Sequence, residues 1–304
     1  MNLNLDSFTD ITADGWLERK APPHWHPYMR LMRLDRPIGT WLLLLPGLWS
    51  IALAAHFWRG LWLSLLFAAG AVIMRGAGCV VNDILDRKYD HAVERTAGRP
   101  LASGEVSLNQ AVVFLVALLG AGFLILATLN HYAFWLGVLS LLLIFPYPLM
   151  KRLTDWPQLW LGFTFNWGAL LGYAAVTGHL SIKPILLYVG GICWTLGYDT
   201  IYALQDVEDD AVVGVRSTAL HFGADTPLWL MRFYSAALAL FALGGLMAGL
   251  RWVFILGIVA AGAHLAWQIR TLRMDDPADC LAKFRSNRIF GLIIWAAIIL
   301  DRVL

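Results

Sequence analysis

Two stretches of this chain gather oxygen-bearing side chains at helical spacing. In Val81-Asn82-Asp83-Ile84-Leu85-Asp86-Arg87-Lys88-Tyr89-Asp90, the residues Asn82, Asp86 and Asp90 recur at every fourth position and so share one helix face. In Tyr198-Asp199-Thr200-Ile201-Tyr202-Ala203-Leu204-Gln205-Asp206-Val207-Glu208-Asp209-Asp210, Tyr198, Tyr202, Asp206 and Asp210 do the same. Asp206 follows Asp86 by the same interval as Asp210 follows Asp90, which suggests a duplicated unit. Carboxylates one turn apart repel, so both helix ends are disfavoured unless a cation compensates. Hard oxygen donors in pairs suit Mg²⁺, which uses one or two carboxylates per ion and completes its shell with water and phosphate oxygens.

Basic residues follow each acid stretch. Glu94-Arg95-Thr96-Ala97-Gly98-Arg99-Pro100-Leu101-Ala102-Ser103-Gly104 comes after the first and Gly214-Val215-Arg216-Ser217-Thr218 after the second. Arg beside Ser, Thr and Gly in a connection can grip phosphate oxygens. Lys151 and Arg152 leave Tyr147-Pro148-Leu149-Met150 on the same predicted side. A solvated acidic face explains either acid motif alone about as well as a site does, and Lys88 and Arg273 read as topology-setting charges. Two acid clusters at membrane-span ends, each with a basic connection, favour an anion site.

The elements that must position these groups are apolar. Of 304 residues, 59% are hydrophobic and 14% charged, with a mean hydropathy of +0.63, against about 25% charged in a soluble globular chain. Hydropathy predicts an all-α polytopic membrane bundle of nine spans: 41–57, 61–81, 111–129, 132–148, 159–176, 185–204, 228–250, 252–267 and 289–300. Most Lys and Arg fall in connections on one side, which predicts a cytoplasmic N-terminus and both acid motifs at the cytoplasmic edge. Residues 1–36 read as a cytoplasmic leader without a signal peptide, and 37–304 as a single transmembrane domain. Cys79, Cys193 and Cys280 are too few and scattered for a disulfide framework, and the formal charge of +2 does not suggest nucleic acid.

The motifs resemble those of the UbiA superfamily of intramembrane aromatic prenyltransferases. The first is similar to the family's Asn-Asp-x-x-Asp-x-x-x-Asp with its Arg-Thr-x-x-Arg-Pro-Leu loop, the second to its Asp-Thr-x-Tyr-Ala-x-x-Asp-x-x-Asp-Asp. Met32-Arg33-Leu34-Asp35-Arg36-Pro37-Ile38-Gly39-Thr40-Trp41 and Tyr147-Pro148-Leu149-Met150-Lys151-Arg152 resemble the 4-hydroxybenzoate branch, and the likeness runs from Arg30 to Arg288. Glu208 departs from the Asp common there, preserving charge.

The resemblance implies a bundle around a central cavity open sideways to lipid. It also implies Mg²⁺-dependent transfer of a polyprenyl group from its diphosphate to the ring of 4-hydroxybenzoate, a step of ubiquinone biosynthesis. Asp86, Asp90, Asp206 and Asp210, assisted by Asn82, would hold the metal against the diphosphate, while Arg95, Arg99, Arg152, Lys151 and Arg216 take its outer oxygens. Tyr147, Tyr198 and Tyr202 would face the allylic cation, Asp199 would take the ring proton, and Arg36 would pair with the acceptor's carboxylate. Asn166, His264, Gln268 and Arg75 are assigned hydrogen bonds between packed helices.

Haem, chlorophyllide, homogentisate and naphthoate are the competing acceptors, since their enzymes share the acid motifs. An ion-coupled carrier is the rival of a different class, but its acids would sit at midplane on interrupted helices. Acids in the leader argue against an imported organellar protein, so the expected location is a bacterial inner membrane, multi-pass, with the active site on the cytoplasmic side.

Overall fold

The computed structural model describes residues 20–91, 94–207 and 214–304, without the side chains of 88–90 and 94–95. The described residues are helical and contain no strand. In chain order the helices are α1 His26–Leu31, α2 Ile38–Ala54, α3 Phe57–Asp90, α4 Glu94–Ala97, α5 Leu108–Ala127, α6 His131–Leu139, α7 Leu141–Ile144, α8 Tyr147–Leu153, α9 Pro157–Phe165, α10 Trp167–Thr177, α11 Ile182–Ala203, α12 Thr218–Phe222, α13 Thr226–Met247, α14 Trp252–Thr271 and α15 Pro277–Val303.

Each predicted span falls on helix, but the elements differ from uniform crossings. Among the described residues, six segments are long and apolar enough to cross a membrane: 57–87, 108–127, 131–153, 157–177, 218–247 and 252–271. The 17-residue α2 is apolar but shorter. The segment 131–153 is broken, because Pro146 and Pro148 withhold backbone donors and Ser140 Oγ donates to Gly137 O at 2.6 Å. The segment 157–177 breaks at Asn166, whose Nδ2 donates to Gly162 O at 2.9 Å and to Thr195 Oγ1 at 2.8 Å. Helix α15 begins twelve residues before the predicted 289–300, capped by Asp276, whose Oδ1 accepts from the backbone N–H groups of Ala278 and Asp279.

The chain divides into two compact units. The first comprises 1–40 and 68–128. Its core joins Leu31, Ala77, Val80, Leu101, Val106, Ala111 and Leu118, with the Tyr28 ring edge-on to Phe114 at 5.0 Å. Helix α5 opens with a capping box: Gln110 N donates to Ser107 Oγ while Ser107 N donates to Gln110 Oε1. Its outer face exposes Val113, Val116, Phe123 and Leu124, an apolar stripe suited to lipid.

The second unit comprises 41–67 and 129–304. Within it α11 packs against α9, α10, α13 and α15. Trp194 of α11 lies among Trp49, Tyr198 and Phe290, with ring centroids 5.4, 4.9 and 5.1 Å away. The buried indoles are satisfied: Trp194 Nε1 donates to Asn287 Oδ1 at 2.8 Å and Trp49 Nε1 to Gly291 O at 2.9 Å. Gly197 lets α11 approach Tyr234 of α13, whose ring a Cβ there would overlap. At the far end, Asp301 of α15 caps α14 by accepting from the N–H groups of Arg251 and Phe254 at 2.8 and 2.9 Å, and Arg302 donates to Leu53 O.

Candidate active site

In the first unit, the end of α3 carries Asn82 and Asp86, both half-buried, on the predicted face. The side chains of Asp90 and Arg95, also predicted for this site, lie outside the described residues. The buried residue is Asp83, 1% exposed. Its Oδ1 accepts from Arg33 Nη2 at 2.7 Å and Arg99 Nη1 at 3.5 Å. Arg99 sits in a tight connection: Arg99 N donates to Thr96 O at 2.9 Å and Ser103 N to Arg99 O at 2.8 Å. Arg33 has φ +59°, a left-handed backbone rare for a non-glycine, and its Nη1 donates to Arg30 O at 3.0 Å. Sequence reasoning passed over Asp83 and Arg33 because Asp83 stands one position off the 82/86/90 face. The available signal was an acid next to that face with arginines in both flanking connections. Arg36, the predicted partner of an acceptor carboxylate, donates from Nε to Asp35 Oδ2 at 2.9 Å.

In the second unit, α11 presents Tyr198, Asp199 and Tyr202. Tyr198 is buried; its hydroxyl accepts from Thr195 Oγ1 at 3.1 Å, and Thr195 Oγ1 accepts from Asn166. Tyr202 is exposed and packs its ring against Phe284 at 4.6 Å, while Asp199 and Asp206 are half-buried. The helix tightens to a 3₁₀ turn over Leu204–Asp206, so the α-helical register that aligns Tyr198 with Tyr202 does not continue to Asp206. Glu208 and Asp210 lie outside the described residues.

Three connected segments brace this helix end. Thr200 Oγ1 lies 2.6 Å from Thr218 Oγ1, and Thr218 N donates to Gln158 Oε1 at 3.0 Å. Ser217 caps α12 by accepting from Leu220 N. Arg216 N donates to Lys151 O at 3.1 Å, bringing Lys151 and Arg216 together, and the exposed Arg216 side chain lies 3.5 Å from Asp155. Residues 147–153, of which 149–153 fall in the connection between the predicted spans, form the short helix α8, with Tyr147 and Lys151 half-buried and Arg152 exposed. Gln268 receives the Tyr234 hydroxyl on Oε1 at 3.0 Å and donates from Nε2 to Ser286 Oγ at 2.9 Å, a polar tie among α13, α14 and α15.

Among the described residues no group of three or more His, Cys, Asp or Glu is placed to hold a metal. The donors that are described at the two acid motifs, Asn82, Asp86 and Asp206, are all hard oxygen donors, the kind a divalent hard cation takes.

Apolar helical segments of membrane-crossing length, with carboxylates and guanidinium groups at helix ends, are the features of an integral membrane protein. A model of the UbiA prenyltransferase family matches residues 43–295, and the chain belongs to that family. It is a prenyl-transferring enzyme. It is 53% identical over 288 residues to the Bos taurus mitochondrial 4-hydroxybenzoate polyprenyltransferase, covering 93% of this chain and 77% of that protein. The Arabidopsis thaliana protein of the same name is 50% identical, covering 96% of this chain and 72% of its own. The Aedes aegypti one is 52% identical, covering 90% and 63%, so this chain spans less than two thirds of that relative's length. The fold matches the apo structure of a UbiA homologue from Aeropyrum pernix with TM-score 0.72 at 28% identity, over 89% of this chain and 99% of that one. A UbiA homologue from Archaeoglobus fulgidus bound to GPP and Mg²⁺ shares the fold with TM-score 0.65 at 18% identity, over 91% and 100%.

These relatives correct the expected location. Proteins half identical across nine tenths of the chain, from a mammal, a plant and an insect, are mitochondrial, which points to a mitochondrial membrane and overturns the bacterial inner membrane and its cytoplasmic active site. The acids of the leader misled because composition over so short a stretch is a weak signal beside similarity of that extent.

Proposed function

We propose that this protein transfers a polyprenyl group from polyprenyl diphosphate to the ring of 4-hydroxybenzoate, a step of ubiquinone biosynthesis, with Mg²⁺ as cofactor. The observation that carries this reading is half identity, over more than nine tenths of the chain, to relatives named for that activity. The A. fulgidus homologue, with the same fold, binds GPP and Mg²⁺. We keep nine spans, an N-terminus on the side of the acid motifs and a single transmembrane domain from 37 to 304 as parts of the proposal.

In this reading Asp86, Asp90, Asp206 and Asp210, with Asn82, hold the metal. Bound Mg²⁺ supplies charge neutralisation for the diphosphate leaving group. Arg95, Arg99, Arg152, Lys151 and Arg216 bind the outer diphosphate oxygens, where negative charge grows as the allylic carbon–oxygen bond breaks and its electron pair leaves with the diphosphate. The ring carbon next to the phenol hydroxyl attacks the allylic carbon, and Asp199 accepts the displaced ring proton. Tyr147, Tyr198 and Tyr202 present ring faces to the cation, Arg36 meets the acceptor carboxylate, and lipid-facing helix surfaces accommodate the isoprenoid tail.

The test is a membrane assay offering a polyprenyl diphosphate and 4-hydroxybenzoate, with Mg²⁺ or with a chelator. Prenylated 4-hydroxybenzoate that forms only with Mg²⁺ is the expected result. Transfer to homogentisate or naphthoate but not to 4-hydroxybenzoate would reject the acceptor, and turnover surviving chelation would reject the metal.

A further inference from the structure

Asp83 belongs to the first acid motif by sequence, yet it stands off the face that carries Asn82 and Asp86. It is the most buried acid of that motif among the described residues, and its Oδ1 meets guanidinium groups from two separate connections. One is Arg33, between α1 and α2, and the other is Arg99, beyond α4. Both side chains are themselves largely buried, 13% and 19% exposed. A flexible arginine in a connection loses much of its rotamer freedom when a fixed carboxylate takes one edge of its fork. Because a guanidinium has five donors, that edge can be held while others remain directed elsewhere. The left-handed backbone at Arg33 is a local cost, tolerated where the Asp83 and Arg30 contacts fix its side chain.

We infer that Asp83 is a positioning residue: by holding Arg33 and Arg99 from opposite flanks of the motif, it fixes Arg99 where the diphosphate of the prenyl donor is bound. This rests on the proposed reading of Arg99 and adds a residue to it. In this inference Asp83 acts through the arginines and not on the substrate itself. Its loss therefore weakens donor binding and leaves acceptor binding alone, whereas a purely structural ion pair would lower the amount of folded protein without separating the two substrates.

The experiment measures KM for the prenyl diphosphate and for 4-hydroxybenzoate, and competition by inorganic pyrophosphate, in full-length protein in membranes. The variants are Asp83→Asn, Asp83→Glu, Arg99→Gln and the Asp83→Asn/Arg99→Gln pair. Asp83→Asn should raise KM for the donor and weaken pyrophosphate competition by about tenfold or more, with KM for the acceptor within about twofold. In the Arg99→Gln background the same change should add less than about twofold, because the route through Arg99 is already gone. Asp83→Glu, which keeps the charge but displaces it, should fall between Asp83→Asn and the unaltered protein. An unchanged donor KM in Asp83→Asn, equal rises for both substrates, or full additivity with Arg99→Gln overturns the inference. Failure of both Asp83 variants to fold also overturns it, since Asp83 would then serve the fold. If Arg99→Gln itself leaves the donor KM unchanged, the underlying reading of Arg99 fails instead.

Discussion

The hydroxyl oxygens of Thr200 and Thr218 lie 2.6 Å apart, joining the helix that carries Asp199 to the segment that carries Arg216. Thr200 Oγ1 also lies 2.6 Å from Leu196 O, which takes the Thr200 proton, so the shared bond is donated by Thr218. Both threonines are fully buried.

The direction of that bond ranks two substitutions. Thr200→Val removes the acceptor and leaves the Thr218 donor buried, which should cost about 1–3 kcal/mol. Thr218→Val leaves Thr200 still bonded to Leu196 and should cost about 1 kcal/mol. Thermal unfolding in detergent checks the order; a larger loss for Thr218→Val would reverse the assigned donor.

Gly197 sits where α11 meets the Tyr234 ring, and a methyl group there overlaps ring carbons. Tyr234 is 2% exposed and tied through its hydroxyl to Gln268, so the ring has little room to retreat. Gly197→Ala should therefore destabilise the second unit by about 1–3 kcal/mol, the usual range for overpacking. Combining it with Tyr234→Ala should relieve the clash, and equal stability of Gly197→Ala and the unaltered protein would show that the two helices separate freely.

The turn before α15 carries a pH signature. The Arg273 N–H donates to Asp279 Oδ2 at 2.9 Å and Lys283 Nζ donates to Oδ1 at 3.1 Å, and these contacts, the backbone N–H first, hold the Asp279 carboxyl below its ordinary value. A group whose folded value is depressed contributes stability above its unfolded value, and that contribution disappears as pH falls through the folded value. Asp279→Asn should thus unfold at a lower temperature than the unaltered protein at pH 7, with the gap closing below about pH 4. A gap that widens in acid would contradict the sign.

The all-helical class, the placement of the nine apolar segments on helix and the family were legible in the sequence, because hydropathy and acid spacing are local signals. The breaks at Asn166 and Pro146 were less so: they fall inside stretches whose apolar average stays high, and they are set by single side chains. Helix α11 shows the converse, since Lys183, Tyr188, Thr195, Tyr198, Asp199 and Thr200 lower its hydropathy although it packs against α9, α10, α12, α13 and α15. The site was legible as residue types but not as partners. Four-residue spacing picked out Asn82 and Asp86, whereas the Asp83 contacts with Arg33 and Arg99 span 50 and 16 positions and depend on tertiary packing. Likewise, nothing in the sequence signals the 3₁₀ turn that shifts Asp206 off the Tyr198 face.

The central claim is that both acid motifs serve one transfer reaction. Its most direct test is the rate of prenylation of 4-hydroxybenzoate by Asp86→Asn, Asp206→Asn and the double variant, at saturating substrates and equal amounts of inserted protein. Each single variant should fall by about a thousandfold or more, and the double should be little worse, as for groups that act as one unit. Full activity in both single variants would contradict the account.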